Sequence, residues 1–267
     1  HSKLGEKEMI DKNRLISTLC DLIKIDSPSG EESIIGQYLI GQLENLGVNA
    51  SFDDYGNVIG KSNIGVGNTL LLSAHMDTVE PGRGITPKID GPLLISDNTT
   101  ILGGDCKAGI ASILEAITSV REDAAQNISF EVAFTRQEEI GLVGARNLDY
   151  SKITAKEAIV FDGEGPVTQM TSSSPTHVGF EINIKGKAAH AGVEPEKGIS
   201  AVRIASELIT ILPQGRLDEE TTFNIGVVTG GSVTNAVPEN ASIKGEFRSH
   251  NPATLSGIQD ILQNAIT

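Results

Sequence analysis

Three short apolar runs, each with a polar, chemically capable residue at its far end, constrain the fold of this chain more than any other feature. Leu70-Leu71-Leu72-Ser73-Ala74 leads into His75 and Asp77, Val132-Ala133-Phe134-Thr135 into Glu138 and Glu139, and Ala158-Ile159-Val160-Phe161 into Asp162. The first, nearly continuous from Thr69 to Ala74, marks a strand buried on both faces, and the other two read as further strands. Helical apolar spacing is found over Asn13–Ile25, Glu31–Leu46, Lys107–Val120 and Leu142–Leu148, and strand-like pieces over Val48–Asp53 and Asn57–Lys61. Strands alternating with helices predict an α/β domain with a mainly parallel sheet flanked by helices on both faces.

The pattern changes at Ser172-Ser173-Ser174-Pro175, which reads as a hinge. Beyond it come a strand (Val178–Lys185), a helix (Ile199–Leu212), two strands (Thr222–Val228 and Ala241–Arg248) and a helix (Pro252–Ala265). This β-α-β-β-α order is a ferredoxin-like α+β unit one strand short. The expected division is residues 9–174 and 177–267, with the last strand of the second domain and a closing segment of the first expected beyond Thr267. Residues 1–8, ahead of Met9, read as a poorly ordered leader. No repeat or low-complexity tract interrupts the chain.

Charge narrows the function classes. Lys plus Arg is 21 against 35 for Asp plus Glu, a net charge of −14 over 267 residues. Such a surface is a poor partner for a nucleic-acid backbone or an anionic membrane. No stretch approaches the roughly 20 apolar residues of a membrane span, and His1–Asp11 lacks the apolar core of a secretory signal. Two cysteines, Cys20 and Cys106, rule out a disulfide scaffold and suit a reducing, cytoplasmic setting. Asn98, Asn127 and Asn240 head glycosylation-acceptor triplets, which carry no weight without an export signal.

In open α/β sheets the carboxyl ends of parallel strands share one edge and form the binding crevice. That places His75, Asp77, Glu138, Glu139 and Asp162 together, with Asp105, which follows Ile101-Leu102-Gly103-Gly104 and precedes a helix. One imidazole among carboxylates suits a divalent ion, zinc first, then manganese or cobalt. Asp77 is placed to fix the His75 tautomer. Glu138 and Glu139, being adjacent, cannot both face one ligand along a strand, so one would bind metal and the other take a proton. Each residue also has a plainer role: surface pair for His75 and Asp77, N-cap for Asp105, solvated charges for Glu138 and Glu139, turn for Asp162. Their joint placement after successive apolar runs favours the metal site.

Other signals are weaker. Gly60-Lys61-Ser62 fails as a phosphate loop, and Gly230-Gly231-Ser232-Val233-Thr234 lacks the last glycine of a nucleophile elbow. Cys106 is expected to point away from Asp105 as a small buried residue. Lys107, at a helix start where its charge is disfavoured, is read either as paired with a carboxylate or as solvated.

Taken in order, Ser73-Ala74-His75-Met76-Asp77-Thr78-Val79, Leu102-Gly103-Gly104-Asp105-Cys106-Lys107-Ala108-Gly109, Thr135-Arg136-Gln137-Glu138-Glu139-Ile140-Gly141 and Phe161-Asp162-Gly163 resemble the M20 family of co-catalytic zinc metallopeptidases, in its peptidase T-like branch. Gly186-Lys187-Ala188-Ala189-His190-Ala191-Gly192, Gly230-Gly231, Asn235-Ala236-Val237-Pro238 and Arg248 extend the resemblance into the second domain. It implies a zinc exopeptidase-like catalytic domain with a lid that also dimerises, and two divalent ions. His75 and Asp162 would bind one ion each, Asp105 would bridge them, and Glu139 would bind the second. Asp77 would stand behind His75. Glu138 would be the general base for a metal-bound water, His190 would reach the neighbouring subunit's oxyanion, and Asn235 and Arg248 would hold the substrate backbone.

The resemblance also implies a further histidine ligand near the carboxyl end. None of His1, His177, His190 and His250 lies in such a segment. Cys106 departs from the acidic or polar residue usual at that position, which bears on metal preference. The implied activity is release of the amino-terminal residue from short peptides, tripeptides first, by a cytoplasmic homodimer. The alternatives are another amide hydrolase of the family (carboxypeptidase, dipeptidase or N-acyl amino acid deacylase) or a non-catalytic peptide or metal binder.

Overall fold

The computed structural model describes residues 9–62, 68–123, 128–163 and 165–266. The leader at residues 1–8 and the Asn127 acceptor lie outside them. The chain divides into two compact units between Pro166 and Val167.

The first unit runs α1 (Lys12–Ile23), α2 (Ser33–Asn45), β1 (Val48–Phe52), β2 (Val58–Ser62), β3 (Leu70–His75), β4 (Lys88–Asp90), β5 (Leu93–Ile95), α3 (Gly104–Glu122), β6 (Phe130–Thr135), α4 (Val143–Arg146) and β7 (Glu157–Val160). Five strands form one sheet in the order β1-β2-β6-β3-β7. It is parallel across β6, β3 and β7 and antiparallel where β1 and β2 join. The five residues between β1 and β2 are a hairpin loop, far too short for the crossover that parallel strands need. There the Asp53 carboxylate accepts from the backbone N–H of Tyr55, Gly56 and Asn57.

Every residue of β6 is buried, Glu131 and Thr135 included, as a central strand covered on both faces requires. On one face α1, α2 and α3 pack Leu22, Leu39, Leu43, Ile110 and Ile113 into the main core with Phe134 of β6. Each such buried side chain contributes about 2 kcal/mol. On the other face Leu148 and Ile153 cover Ile59, Leu71 and Ala133. The helix expected over Leu142–Leu148 is a single turn, because Gly141 and Leu142 adopt φ 109° and 58°, outside the helical region. The β4–β5 hairpin was not foreseen; its Ile89 and Leu93 face solvent, so it carries no burial pattern.

Glu131, on the buried strand β6, is a stability switch remote from the candidate site. Its carboxylate accepts from Thr154 N, Ala155 N and the Thr154 hydroxyl, and pairs with Lys61 at 2.9 Å. Burial alone would raise its pKa, but these donors hold it down to about 2. A depressed folded-state pKa stabilises the fold fully above about pH 4.5, and the gain disappears as pH falls towards 2. Glu131→Gln should therefore lower Tm at neutral pH and flatten its fall between pH 4.5 and 2, as thermal melts across that range will show.

The second unit runs β8 (Thr176–Lys185), α5 (Ala201–Ile211), β9 (Gly215–Arg216), β10 (Thr221–Gly230), β11 (Asn240–Ser249) and α6 (Pro252–Ala265). Its antiparallel sheet has the order β8-β11-β10-β9, the ferredoxin-like placement of the first strand beside the third long one. The sheet alternates cleanly. Ala241, Ile243 and Phe247 of β11 are buried against the helix layer, while Ser242, Lys244, Glu246 and Arg248 lie on the opposite face. Ser200 and Asn251 cap α5 and α6 with their side-chain oxygens. No helix among the described residues is long and apolar enough to cross a membrane.

Candidate metal centre

Register brings three strand ends to one edge. His75 of β3 stands beside Thr135 of β6, and beyond β7 the Phe161 N–H donates to the Ser73 carbonyl at 2.8 Å. The chain leaves these ends carrying His75 and Asp77, Glu138 and Glu139, and Asp162, and the start of α3 adds Asp105.

His75 is the hub and is only 2% exposed. Its Nδ1 lies 2.9 Å from the backbone carbonyl of Asp77 and 3.4 Å from Asp77 Oδ1. The carbonyl and the expected carboxylate of Asp77 thus both stand behind the imidazole, the carbonyl the nearer. Nε2 is left facing Asp105 Oδ1 at 3.1 Å, Asp162 Oδ1 at 3.6 Å and Glu138 Oε2 at 3.9 Å. Two overlapping donor groups share this imidazole, one with Asp105, Cys106 and Asp162, the other with Glu138 and Glu139, the ligand atoms of each group lying within 4.8 Å of one another.

Asp77, fully buried, has a second task beside the one expected. Its carboxylate accepts from the backbone N–H of Glu138 (2.9 Å) and Glu139 (3.2 Å) and from Ser29 Oγ (2.6 Å). It clamps the segment that carries both glutamates. That segment has already left β6: Gln137 adopts φ 52°, a left-handed conformation costing about 1 kcal/mol for a non-glycine residue. Freed from strand alternation, Glu138 and Glu139 both come near His75, contrary to the expectation that adjacent residues must diverge.

Asp105 is not an N-cap. Gly103 takes that position with φ 69°, and the Asp105 side chain, 73% exposed, turns to His75. Cys106 is buried as expected, but it does not point away: its Sγ lies with His75, Asp105 and Asp162 and donates to the Phe161 carbonyl at 2.6 Å. This bond ties the Asp105 segment to the Asp162 segment. Gly109 permits the approach, since a Cβ there would sit 2.3 Å from the same carbonyl. Lys107 is neither solvated nor paired with a carboxylate. It is fully buried and donates to the Ile25 carbonyl at 2.7 Å, and burial lowers its pKa to about 8.

The electrostatics of the cluster call for positive charge. Burial disfavours a charged imidazole, yet hydrogen bonds to Asp162 and Asp77 push His75 up to about 11. Burial would likewise raise Asp77, but bonds from His75, Ser29 and the Glu138 N–H hold it down at about 2. Glu138 and Glu139 are both raised, first by burial and then by the neighbouring carboxylates. Burial pushes the Cys106 thiol up to about 12, so it is a neutral donor rather than a thiolate. One imidazole with carboxylates that destabilise one another is the donor set of a hard-to-borderline divalent cation.

The remaining candidate residues lie in the second unit. His190 Nδ1 accepts from the Gly192 N–H at 3.2 Å, which leaves the ring proton on Nε2 as an outward donor. The His190 and Asn235 loops are zipped together by Ala191 N to Asn235 O (3.0 Å) and Val237 N to Ala189 O (2.9 Å). Arg248 is elsewhere. It lies on β11 opposite Thr222 and His177, donates to Glu246, and lines a cavity of about 680 Å³ with Arg216 and His250. His177 is bound to Glu246 at 2.7 Å. Asn240, just past the Asn235 loop, and Arg248 stand eight residue steps apart along β11, which is about 26 Å of extended chain. One copy of this unit therefore does not bring Arg248 together with His190 and Asn235.

Supporting residues escape the sequence: Ser29, Glu32 and Arg136 hold the ligand segments in place, yet Ser29 falls between two helical stretches and Glu32 inside the one over Glu31–Leu46.

Comparison with known proteins agrees with this architecture. Residues 173–267 match the peptidase dimerisation domain of the M20 peptidases, and residues 57–165 match peptidase family M28. The chain is 41% identical over 253 residues to the uncharacterized protein YqjE of Bacillus subtilis, covering 90% of this chain and 67% of that protein. It spans about six-tenths to two-thirds of the length of the curated relatives it matches. Among solved structures, the aminopeptidase PepT of Bacillus cereus superposes with a TM-score of 0.92 at 39% identity, over 96% of this chain and 72% of that one. A tripeptidase of Staphylococcus aureus gives 0.91 at 33% identity, over 96% and 71%. Ordered motifs, fold and these likenesses agree: the chain belongs to the M20 peptidase family, in its peptidase T-like branch.

Proposed function

We propose that the protein hydrolyses the first peptide bond of short peptides, tripeptides above all, using two divalent ions, most simply zinc. The observation that carries this reading is the convergence of Asp105, Asp162, Glu138 and Glu139 on His75, from segments up to 87 residues apart. The likeness to an aminopeptidase and a tripeptidase supports the substrate class. His75, Asp105, Asp162 and Glu139 would hold the ions, with Asp105 shared between them. Bound there, the ions would polarise the scissile carbonyl and acidify a water molecule.

The protein's own groups do the rest. Glu138 is half-buried with a raised pKa, which improves it as a proton acceptor. Its carboxylate takes a proton from the attacking water and delivers it to the amine nitrogen as the C–N bond breaks. His190 offers its Nε2–H to the oxygen of the tetrahedral intermediate, and Asn235 and Arg248 hold the substrate backbone. A tripeptide extends only about 10 Å, so the separation of Arg248 from His190 and Asn235 supports a homodimer in which two copies contribute to one site. The unpaired cysteines suit a cytoplasmic enzyme.

The test is a panel of tripeptides, dipeptides and N-acetyl amino acids, assayed on the full-length protein with added Zn²⁺, Mn²⁺ or Co²⁺. Free-amine tripeptides are expected to be cleaved fastest. Preference for blocked amines would replace the aminopeptidase reading with that of a deacylase.

A further inference from the structure

The segment from Ile25 to Glu32 carries none of the candidate ligands, yet it is bonded to three of the segments that do. The Ile25 carbonyl accepts from Lys107, two residues past Asp105, at 2.7 Å. Ser27 Oγ donates to the Met76 carbonyl (2.8 Å), the Thr78 N–H donates to the Ser27 carbonyl (2.9 Å), and Ser29 Oγ donates to Asp77 Oδ2 (2.6 Å). Glu32, fully buried, faces the third. Its Oε1 accepts from the N–H of Gly30 (2.8 Å) and Gln137 (3.1 Å), and its Oε2 accepts from Arg136 Nε (2.8 Å). Arg136 returns to the Gly30 carbonyl at 3.0 Å and to the Tyr55 carbonyl at 3.0 Å, and the Tyr55 hydroxyl donates to the Gln137 side chain. With Asp77 gripping the Glu138 and Glu139 N–H groups, a closed ring of bonds runs Ser29, Asp77, Glu138, Gln137, Glu32, Gly30.

We propose that Glu32 is a positioning residue for the Glu138–Glu139 pair: from outside the donor set it holds Gln137 in its left-handed conformation and so sets where both glutamates stand against His75. This rests on the metallopeptidase reading of the same site. The geometry makes the carboxylate specific. An amide at position 32 could still accept from Gly30 and Gln137 through its oxygen, but its NH₂ would then oppose the Arg136 Nε–H, leaving a partly buried guanidinium short of its acceptor.

The test uses Glu32→Gln and Glu32→Ala in the full-length protein, with Zn²⁺ and Mn²⁺ titrated into chelator-treated samples by calorimetry and a free-amine tripeptide assayed in parallel. Wild type should take up two ions. Both variants should lose about 10–100-fold in affinity for one ion and keep the other within about threefold, with kcat falling and KM little changed. Arg136→Gln added to Glu32→Gln should recover much of the loss, since two amides can pair where amide and guanidinium cannot. Variants that match wild type in both ion affinities and in kcat overturn the proposal. So does an equal weakening of both ions in step with a lowered Tm, which would mark Glu32 as a folding residue only. A wild type that takes up no ion overturns the metallopeptidase reading itself, and the proposal with it.

Discussion

Glu138→Ala should leave metal uptake nearly intact and lower tripeptide turnover by about 10³-fold or more, the upper range for loss of a general acid–base group. The asymmetry follows from what Glu138 and Glu139 each hold. The Glu138 side chain is 3.9 Å from His75 Nε2, farther than Asp105 or Asp162. The clamp on its segment grips backbone N–H groups that alanine keeps. Removing the carboxylate thus deletes the proposed proton carrier without releasing the loop. Calorimetric titration of Zn²⁺ beside single-turnover kinetics separates the two effects. A variant that lost an ion together with its activity would make Glu138 a ligand and return the proton-transfer role to Glu139.

Asp77→Asn should be the most damaging conservative change in the protein. The carboxylate offers an acceptor to each of two backbone N–H groups and a third bond to Ser29, all in a fully buried place. An amide keeps one oxygen and sets an NH₂ against whichever donor remains. A buried donor left unsatisfied costs about 1–3 kcal/mol, and here the cost falls on the loop that presents Glu138 and Glu139. Ion affinity should drop by about 10–100-fold and turnover by more, since both metal binding and base placement depend on one clamp. Equilibrium dialysis against Zn²⁺, with circular dichroism to confirm folding, checks this. Normal ion uptake by Asp77→Asn would show that the clamp does not govern the site.

Much of this arrangement was legible in the chain itself. Residues at the ends of β3, β6 and β7 could be placed together because each follows a short apolar run that reads as a strand, and parallel strands in one sheet end on one edge, although β7 itself is exposed along its whole length. The second unit was equally plain, since Val178, Phe180, Ile182 and Ile184 alternate with polar residues along β8. What stayed hidden depends on contacts distant in sequence. Nothing local to Glu32 shows that it will meet Arg136, 104 residues away. The true partner of Lys107 was hidden because its acceptor, a backbone carbonyl, has no signature in sequence. The antiparallel half of the sheet was readable from the short Asp53–Asn57 connection, but strand-helix alternation elsewhere dominated the expectation. The paired approach of Glu138 and Glu139 required Gln137 to leave the strand conformation, which a glutamine does not advertise.

Because the donors arrive from parts of the polymer 87 residues apart, an unfolded molecule offers a cation no ready-made cradle. Uptake of the ion and closure of the first unit would then be one thermodynamic event, each tenfold excess of free ion over its dissociation constant adding about 1.4 kcal/mol to the native state. The second unit, with hydrophobic cores of its own, would not share in that gain. A cell poor in the ion would hold a molecule whose first unit lacks that added stability while its second unit keeps all of its own.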